Sequence, residues 1–246
     1  MFRTIVINAL ISAPLAIGAG YLAANYAVRS DRTDEKIEAW LAANPDRVYE
    51  AVTKYVADQN TPKAENFDKQ RDKLFAVDRP HIGAPIERAD ILIAEFFDFN
   101  CVHCRVMEPR LVALLARRTD ISLVAHDLAI LGPGSVAAAK LARAAHGQGK
   151  YPAFRAAIMD PNAGNFDEAA LRKLSEELQL DYSQLQADAQ SQALAASIDA
   201  DVAFGKSLNV TGTPVFYVWS RKSNRSLVIA GEITDSDLDS KLKSLE

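Results

Sequence analysis

The chain has 246 residues, of which 49% are apolar and 24% are charged, and its net charge is −4. This balance is that of a globular protein, and it excludes a disordered chain, a collagen-like chain and a protein with many membrane spans. Lysine and arginine total 28 without a dense basic run, so the sequence predicts no nucleic-acid partner. Two cysteines are too few for a scaffold held together by disulfides.

The first 29 residues have the pattern of a targeting segment. Arg3 precedes an uncharged, mostly apolar run from Thr4 to Val28, and a positive residue before such a run is typical of an export signal. The run is also long enough to span a bilayer. The sequence therefore predicts a signal peptide or a retained inner-membrane anchor over 1–29. Export would place the rest of the chain in an oxidising compartment, the periplasm.

A charged segment with helical patterning follows over 30–75. Apolar residues such as Ile37, Trp40 and Leu41 recur near helical spacing, and Pro45 interrupts the pattern. The segment has too few apolar residues for a core of its own. We therefore expect an N-terminal helical arm that packs on the main domain or, through residues 31–75, on another copy of the chain in a homo-oligomer.

The remaining residues, 76–246, predict one α/β domain. Four strands are expected. The first two are joined by a helix at 102–118, the last two by a polar turn, and a closing helix follows at 234–245. The strands are Ile91 to Phe99, Ile121 to Ala125, Val215 to Trp219 and Leu227 to Ala230. A strand–helix–strand unit followed by an antiparallel pair predicts a mixed sheet covered by helices. The helical block of about 132–208, in which helical patterns continue through 151–160, 167–179 and 183–208, is an insertion into this plan.

Both cysteines lie in the sequence Cys101-Val102-His103-Cys104, between a predicted strand and a predicted helix. Two intervening residues let the thiols close a small disulfide ring. The N-terminus of a helix supplies partial positive charge and free N–H groups, and a protonated His103 would add to this charge. Such surroundings favour the thiolate, which is the reactive form. The sequence predicts Cys101 as the nucleophile and Cys104 as the resolving thiol.

Three other interpretations of the cysteine pair are weaker. A structural zinc site needs four ligands, whereas the chain has no second Cys-x-x-Cys, and His81, His126 and His146 lack the spacing of a ligand pair. A purely structural disulfide in so small a ring would add little stability. Two buried, inert thiols are unexpected in an exported chain. His126 and His146 are therefore interpreted as surface or fold residues.

Glu95 lies in the apolar strand, six residues before Cys101. Side chains of a strand alternate between its faces, so this carboxyl is a candidate for burial beneath the cysteines. Burial raises the pKa of a carboxyl group, which could then move protons for Cys104. The alternative is an exposed glutamate on an edge strand.

Thr213 and Pro214 directly precede the strand that begins at Val215. Proline at the start of a strand removes a donor from the ladder, and the bond before it is a candidate for the cis form. A cis bond would leave the backbone of Thr213 free to pair with an extended peptide. An ordinary trans turn is the alternative.

The sequences EFFDFNCVHC and TGTPVFYV, together with the intervening helices, resemble the DsbA-like branch of the thioredoxin fold from about residue 75 to the C-terminus. The resemblance implies that Pro214 is cis and lies beside the cysteine pair, that Glu95 is the buried acid, and that 132–208 is an inserted helical domain. The sequence LGPGSVAAAKLARAAHGQGKYPAF and the arm resemble exported proteins of the suppressor-of-copper-sensitivity and Com-one-like type. Some relatives of that type oligomerise through an N-terminal arm.

These observations predict a thiol–disulfide oxidoreductase of the cell envelope that forms or reshuffles disulfides in exported, cysteine-containing proteins. Val102 in place of a proline departs from strongly oxidising members, whereas His103 is shared with them, and Thr213 is more common in isomerases or reductases. The direction of electron flow therefore stays open, as does the identity of the membrane redox partner. No cofactor is expected. The alternative is a holdase or a copper(I)-binding protein that uses the same thiols, with His103 as a third ligand.

Overall fold

The computed structural model describes residues 33–49, 51–52, 62–163 and 167–246. The chain divides into two compact units, Met1–Gln59 and Asn60–Glu246. The described part of the first unit is helical over 33–43 and 45–49, and Asn44 separates the two segments where Pro45 predicted a break. The predicted signal or anchor over 1–29 lies outside the described residues. Within the described ranges, no helix is both long and apolar enough to cross a membrane.

The second unit begins earlier than the predicted boundary at residue 76. It includes two short helices, α1 (Ala64–Asp68) and α2 (Arg71–Leu74). Phe67 and Leu74 are completely buried in the core of the sheet, and the ring of Phe67 stacks on that of Tyr217 with centroids 5.2 Å apart. Residues 62–75 therefore pack as part of the main domain, and among the described residues only 33–49 and 51–52 belong to the first unit.

The sheet has five strands in the order β1-β3-β2-β4-β5. The pair β2–β3 is parallel, while β1–β3, β2–β4 and β4–β5 are antiparallel, which confirms the predicted mixed sheet. The strands are β1 (His81–Gly83), β2 (Ile91–Phe97), β3 (Ile121–Asp127), β4 (Val215–Ser220) and β5 (Ser226–Ala230). The three-residue edge strand β1 was not predicted, because so short a segment carries no periodicity.

Every residue of the central strand β2 is buried, because helices cover both faces of the sheet. Ile91 and Ile93 point to the face covered by α3 (Val102–Arg117) and α9 (Asp235–Lys243). Leu92, Ala94 and Phe96 point to the opposite face, where Phe67 and Phe204 pack. This alternation follows from the two-residue period of a strand. β2 ends at Phe97, four residues before Cys101.

Among the described residues, five helices lie between β3 and β4, which confirms the predicted helical insertion. They are α4 (Pro133–Gly147), α5 (Tyr151–Met159), α6 (Glu168–Glu177), α7 (Tyr182–Ala189) and α8 (Gln192–Ser207). The predicted helical pattern over 183–208 is divided between two helices, because the chain turns at Gln190. The Ser191 side chain caps the second helix by accepting a hydrogen bond from the backbone N–H of Leu194 at 3.2 Å. Phe204 of α8 reaches the core of the sheet, so the end of the insertion packs as part of the main domain.

Candidate functional site

The cysteine pair lies where the chain passes from β2 into α3. Cys101 is the N-cap residue of α3, and its backbone N–H donates to the carbonyl oxygen of Asp98 at 3.0 Å. Cys104 lies in the first turn of the helix. Both thiols are free; Cys101 retains 5% of its accessible surface, whereas Cys104 retains none. The first cysteine is therefore the one nearer to solvent, as predicted.

Thr213 and Pro214 lie against Cys101, although more than a hundred residues separate them in sequence. The Cys101 thiol donates a hydrogen bond to the carbonyl oxygen of Thr213, with 3.4 Å between sulfur and oxygen. The Thr213–Pro214 bond is cis, which confirms the prediction. β4 begins at the next residue. The structure thus brings the two motifs together at one end of the sheet.

Cys104 lies in surroundings that disfavour its thiolate. Burial, followed by the negative charge of Glu95, raises the pKa of the Cys104 thiol far above its usual range. Hydrogen bonds with the Asp98 backbone and with Thr213 oppose this rise. A thiolate released at Cys104 would therefore take up a proton readily.

Glu95 is completely buried in the central strand, between Ala125 of β3 and Phe216 of β4. The alternative of an exposed edge residue is therefore wrong. Burial raises the pKa of Glu95 to about 7, and the nearby Arg155 opposes the rise. Its Oε2 atom accepts a hydrogen bond from Arg155 Nη2 at 2.7 Å, while Oε1 has no hydrogen-bond partner among the described residues.

Arg155 and Glu108 complete the surroundings of this carboxyl, and sequence reasoning missed both. Arg155 of α5 is completely buried and donates to Glu108 of α3, with Nε 3.1 Å from each carboxylate oxygen and Nη2 2.6 Å from Oε2. Its guanidinium lies over the ring of Phe97, 4.3 Å from the centroid. The available signal was a lone arginine within the otherwise apolar helix YPAFRAAIM.

His103 lies on the exposed side of α3, and its Nδ1 is 2.5 Å from Glu232 Oε1. This contact places the Glu232 carboxylate beside the imidazole. His103 would have to leave this contact if Nδ1 were to bind copper. Across the described residues, no group of three or more histidine, cysteine and acidic side chains could hold a metal ion.

Asp98 joins the cysteine motif to the loop after β3, and sequence reasoning assigned it no role. Its Oδ1 accepts from the Asn100 backbone at 2.8 Å, and its Oδ2 accepts from the backbones of Ile130 and Leu131 at 2.9 and 3.0 Å. The side chains of Ile130, Leu131 and Val102 are exposed. Apolar surface therefore lies on both elements that Asp98 joins.

A cavity of about 300 Å³ lies between α3 and the inserted helices. Its walls are mostly apolar, with Asn100 and Arg105 as the polar residues. The lining residues are Phe99, Asn100, Arg105, Gly134, Ala137, Ala138, Leu141, Phe154, Ile158 and Leu171. Arg105 is held in place by a hydrogen bond from Nε to the carbonyl oxygen of Phe99 at 2.9 Å.

The family model of the DSBA-like thioredoxin domain matches residues 92–242. The chain belongs to this family. The match to the DSBA-like domain contains the cysteine pair, Glu95, Thr213 and Pro214, as well as Arg155 and Glu108. The mixed sheet, the helix that begins at the cysteines and the helical insertion are thus the fold of a DSBA-like domain.

Solved structures agree with this assignment. A thioredoxin-like oxidoreductase from Silicibacter pomeroyi is 33% identical, with a TM-score of 0.61 over 71% of this chain and 96% of that chain. BcfH from Salmonella enterica Typhimurium is 22% identical, with a TM-score of 0.66 over 90% and 98% of the two chains. ScsC from Proteus mirabilis is 17% identical, with a TM-score of 0.62 over 89% and 97%. The last two show the fold alone.

A curated relative is much longer than this chain. It is the Na(+)/H(+) antiporter NhaA 1 from Salinispora arenicola, which is 30% identical over 151 residues, or 61% of this chain. The matched region spans 23% of the antiporter's length.

Proposed function

We propose that the protein is a thiol–disulfide oxidoreductase that exchanges disulfides with cysteine-containing proteins through Cys101 and Cys104. The observation that carries the proposal is the asymmetry of the pair. Cys101 caps the helix beside the Thr213 carbonyl, whereas Cys104 is completely buried next to Glu95. One sulfur is thus placed to meet a client, and the other is placed to leave and to be protonated.

In the oxidising direction, a client thiolate attacks Cys101 Sγ of the Cys101–Cys104 disulfide. A mixed disulfide forms between client and Cys101, and Cys104 leaves as a thiolate that takes a proton from Glu95. A second client thiolate then attacks the client sulfur of the mixed disulfide and releases the Cys101 thiolate. Two electrons pass from the client to the pair, and the client gains one disulfide.

In the isomerising direction, the reduced pair begins the reaction. The Cys101 thiolate attacks an incorrect client disulfide, which forms a mixed disulfide and releases one client thiolate. A different client thiolate then attacks the client sulfur of the mixed disulfide, so that a new client disulfide forms and the Cys101 thiolate leaves. No net electrons are transferred in this cycle. The same residues serve both directions, so the reduction potential of the pair decides between them.

The cell envelope is the proposed location, and the uncharged run from Thr4 to Val28 supports it. Exported proteins with cysteines are the proposed clients. A membrane protein is the proposed redox partner, which would reoxidise the pair of an oxidase or reduce the pair of an isomerase. The exposed side chains of Val102 and Leu131, next to Cys101, would provide contacts for unfolded clients.

Self-association through the arm is a further part of the proposal. Ile37, Trp40 and Leu41 lie in the helical segment 33–43 and leave about half of their surfaces exposed, at 51%, 48% and 43%. A second copy of the segment would cover these side chains. Sedimentation should show a change to monomer when Trp40 and Leu41 are both replaced by glutamate, and an unchanged mass would contradict this assembly.

Reoxidation of a reduced client, with turnover supported by oxidised glutathione, tests the activity. We expect Cys101→Ser to abolish it, while the exposed Ser236→Ala variant, which keeps both thiols, should equal the wild type. A Cys101→Ser variant with the wild-type rate would overturn the proposal. Equilibration with glutathione then gives the direction: a potential near about −120 mV would indicate an oxidase, and one below about −200 mV an isomerase or reductase.

A further inference from the structure

We propose that Arg155 and Glu108 are positioning residues, which set the charge of Glu95 and through it the proton supply to Cys104. The inference deepens the function proposed above and rests on it, because Cys104 gains and loses a proton only if the pair undergoes exchange. It assigns a role in this chemistry to the inserted helical domain, since Arg155 is carried by α5.

The contacts of Arg155 are divided unequally between the two carboxylates. Glu108 accepts three of them, two from Nε at 3.1 Å and one from Nη2 at 2.6 Å. Glu95 accepts one, from Nη2 at 2.7 Å. Arg155 therefore compensates mainly the charge of Glu108. The Oε1 atom of Glu95 has no hydrogen-bond partner within the described part of the chain, so this atom can carry a proton.

Arg155, Glu108 and Glu95 form one buried charged cluster, and its net charge leads to the same conclusion. One arginine and two carboxylates would leave a net negative charge in a region where Glu95 and Arg155 are completely buried. An uncompensated buried charge is costly, and a carboxyl group avoids the cost by taking a proton. Because Glu108 has the stronger hold on Arg155, Glu95 is the carboxyl that shares its proton with the solvent and with Cys104.

Other titratable groups face this cluster from each neighbouring element. Cys104 and Glu108 come from α3, and Tyr151 and Arg155 come from α5. Asp127 of β3 raises the pKa of Glu95 slightly, and its own charge is compensated by Arg143 of α4, whose Nε lies 2.6 Å from Asp127 Oδ2. On the β4 side, the residue that pairs with Glu95 is the apolar Phe216.

The proposed step is a proton transfer coupled to disulfide exchange. When the bond between Cys101 and Cys104 breaks, the electron pair stays on Cys104 and the proton on Glu95 Oε1 moves to that sulfur. In the reverse direction the Glu95 carboxylate takes the proton back while Cys104 attacks the mixed disulfide. The balance between Arg155 and Glu108 sets the pH at which Glu95 holds this proton.

Titration of the Glu95 carboxyl by carbon-13 NMR in the reduced full-length protein tests the inference, with Glu95→Gln to assign the signal. Glu108→Gln leaves Arg155 to compensate Glu95 alone, so we expect the Glu95 midpoint to fall by about one pH unit or more. The rate of reduction of the pair by dithiothreitol should show the same shift in its pH profile. Glu176→Gln, which removes an exposed carboxylate, should change neither.

A second variant tests the inference in the opposite direction. Replacing Arg155 by Met and Glu108 by Gln together removes the pair as a neutral unit, and Glu95 is then buried without a cation. Its midpoint should rise, opposite to the effect of Glu108→Gln. Equal midpoints in wild type and both variants would overturn the inference. The NMR titration needs no client. If the Glu95 midpoint shifts in opposite directions in the two variants but the protein has no client turnover, the proposed function is contradicted and the inference about the charge of Glu95 is not.

Discussion

The Cys101 thiol donates a hydrogen bond to the carbonyl oxygen of Thr213 at 3.4 Å. This contact joins the N-terminus of α3 to the residue before Pro214, and so fixes the sulfur at the edge of the site. A client sulfur that bonds to Cys101 would come to lie beside the same backbone. Cys104, one turn farther into the helix and completely buried, is shielded from direct attack.

This geometry predicts that Cys104→Ala traps clients. Without the second thiol, a mixed disulfide on Cys101 cannot be resolved from within the pair, so the covalent complex should accumulate. Cys101→Ala should trap none, because the remaining thiol is buried. Non-reducing electrophoresis after incubation with an oxidised client measures the complex, and equal trapping by the two variants would show that the roles of the cysteines are wrongly assigned.

His126 predicts a loss of stability in mild acid. The ring is completely buried, with Nε2 2.9 Å from the Leu74 carbonyl oxygen, and burial, aided by the charge of Arg79, lowers the pKa of His126 to about 3. Below pH 6.5 the unfolded chain binds a proton that the folded chain does not. The contribution of His126 to the free energy of unfolding should therefore fall by about 1.4 kcal/mol for each pH unit between about 6.5 and 3, whereas Glu95, whose pKa is raised in the folded chain, contributes with the opposite sign.

Urea denaturation over this pH range measures the effect. His126→Phe keeps a ring against Phe96 but cannot take a proton, so its stability should decrease less steeply with acid than that of the wild type. Parallel pH dependences in the two proteins would show that His126 does not titrate on unfolding.

Local signals were sufficient to predict much of the sheet and the cysteine motif. β2 and β4 are apolar runs with clear ends, and the position of Cys101 between a strand and a helix follows from the sequence around it. The pairing of Glu95 with Arg155 could not be predicted in this way. The two residues are 60 positions apart, and their contact depends on how α5 packs beneath α3.

Local sequence signals were also insufficient in the arm and in the inserted helices. The polar pattern of 30–75 did not reveal that Phe67 enters the core, because a single aromatic residue in a charged segment has no periodic partners. The break at Gln190 was hidden because helical spacing continues on both sides. Its local signal is Ser191, a residue type that favours N-caps.

Phe67 predicts that α1 stabilises the main domain. Its ring is completely buried, stacked on Tyr217 and 5.9 Å from the ring of Phe96. Phe67→Ala should lower the free energy of unfolding by about 3–5 kcal/mol, because it leaves a cavity in the core. Asn66→Ala on the same helix changes an exposed side chain and is the control. Similar losses in the two variants would contradict the placement of α1 in the core.

Asp201 predicts a second large effect on stability, away from the cysteines. It lies on α8, accepts from Arg79 Nη2 at 2.7 Å, and also pairs with Arg143. Although burial alone would raise it, the pKa of Asp201 is held below its usual value by Arg79 and Arg143. The stabilisation that ionised Asp201 contributes is therefore present above pH 3.8, the pKa of this carboxyl in the unfolded chain, and is lost as the pH falls below it.

Asp201→Asn leaves two arginines partly uncompensated in the interior. We expect the free energy of unfolding at neutral pH to fall by about 3–5 kcal/mol, which is typical of a buried ion pair that loses one member. Asp199→Asn, on the same helix but exposed, should have little effect. Urea denaturation of the three proteins measures the difference. Asp201 contacts neither cysteine, so the folded Asp201→Asn protein should keep the wild-type reduction potential, and a changed potential would mean that this ion network reaches the redox pair.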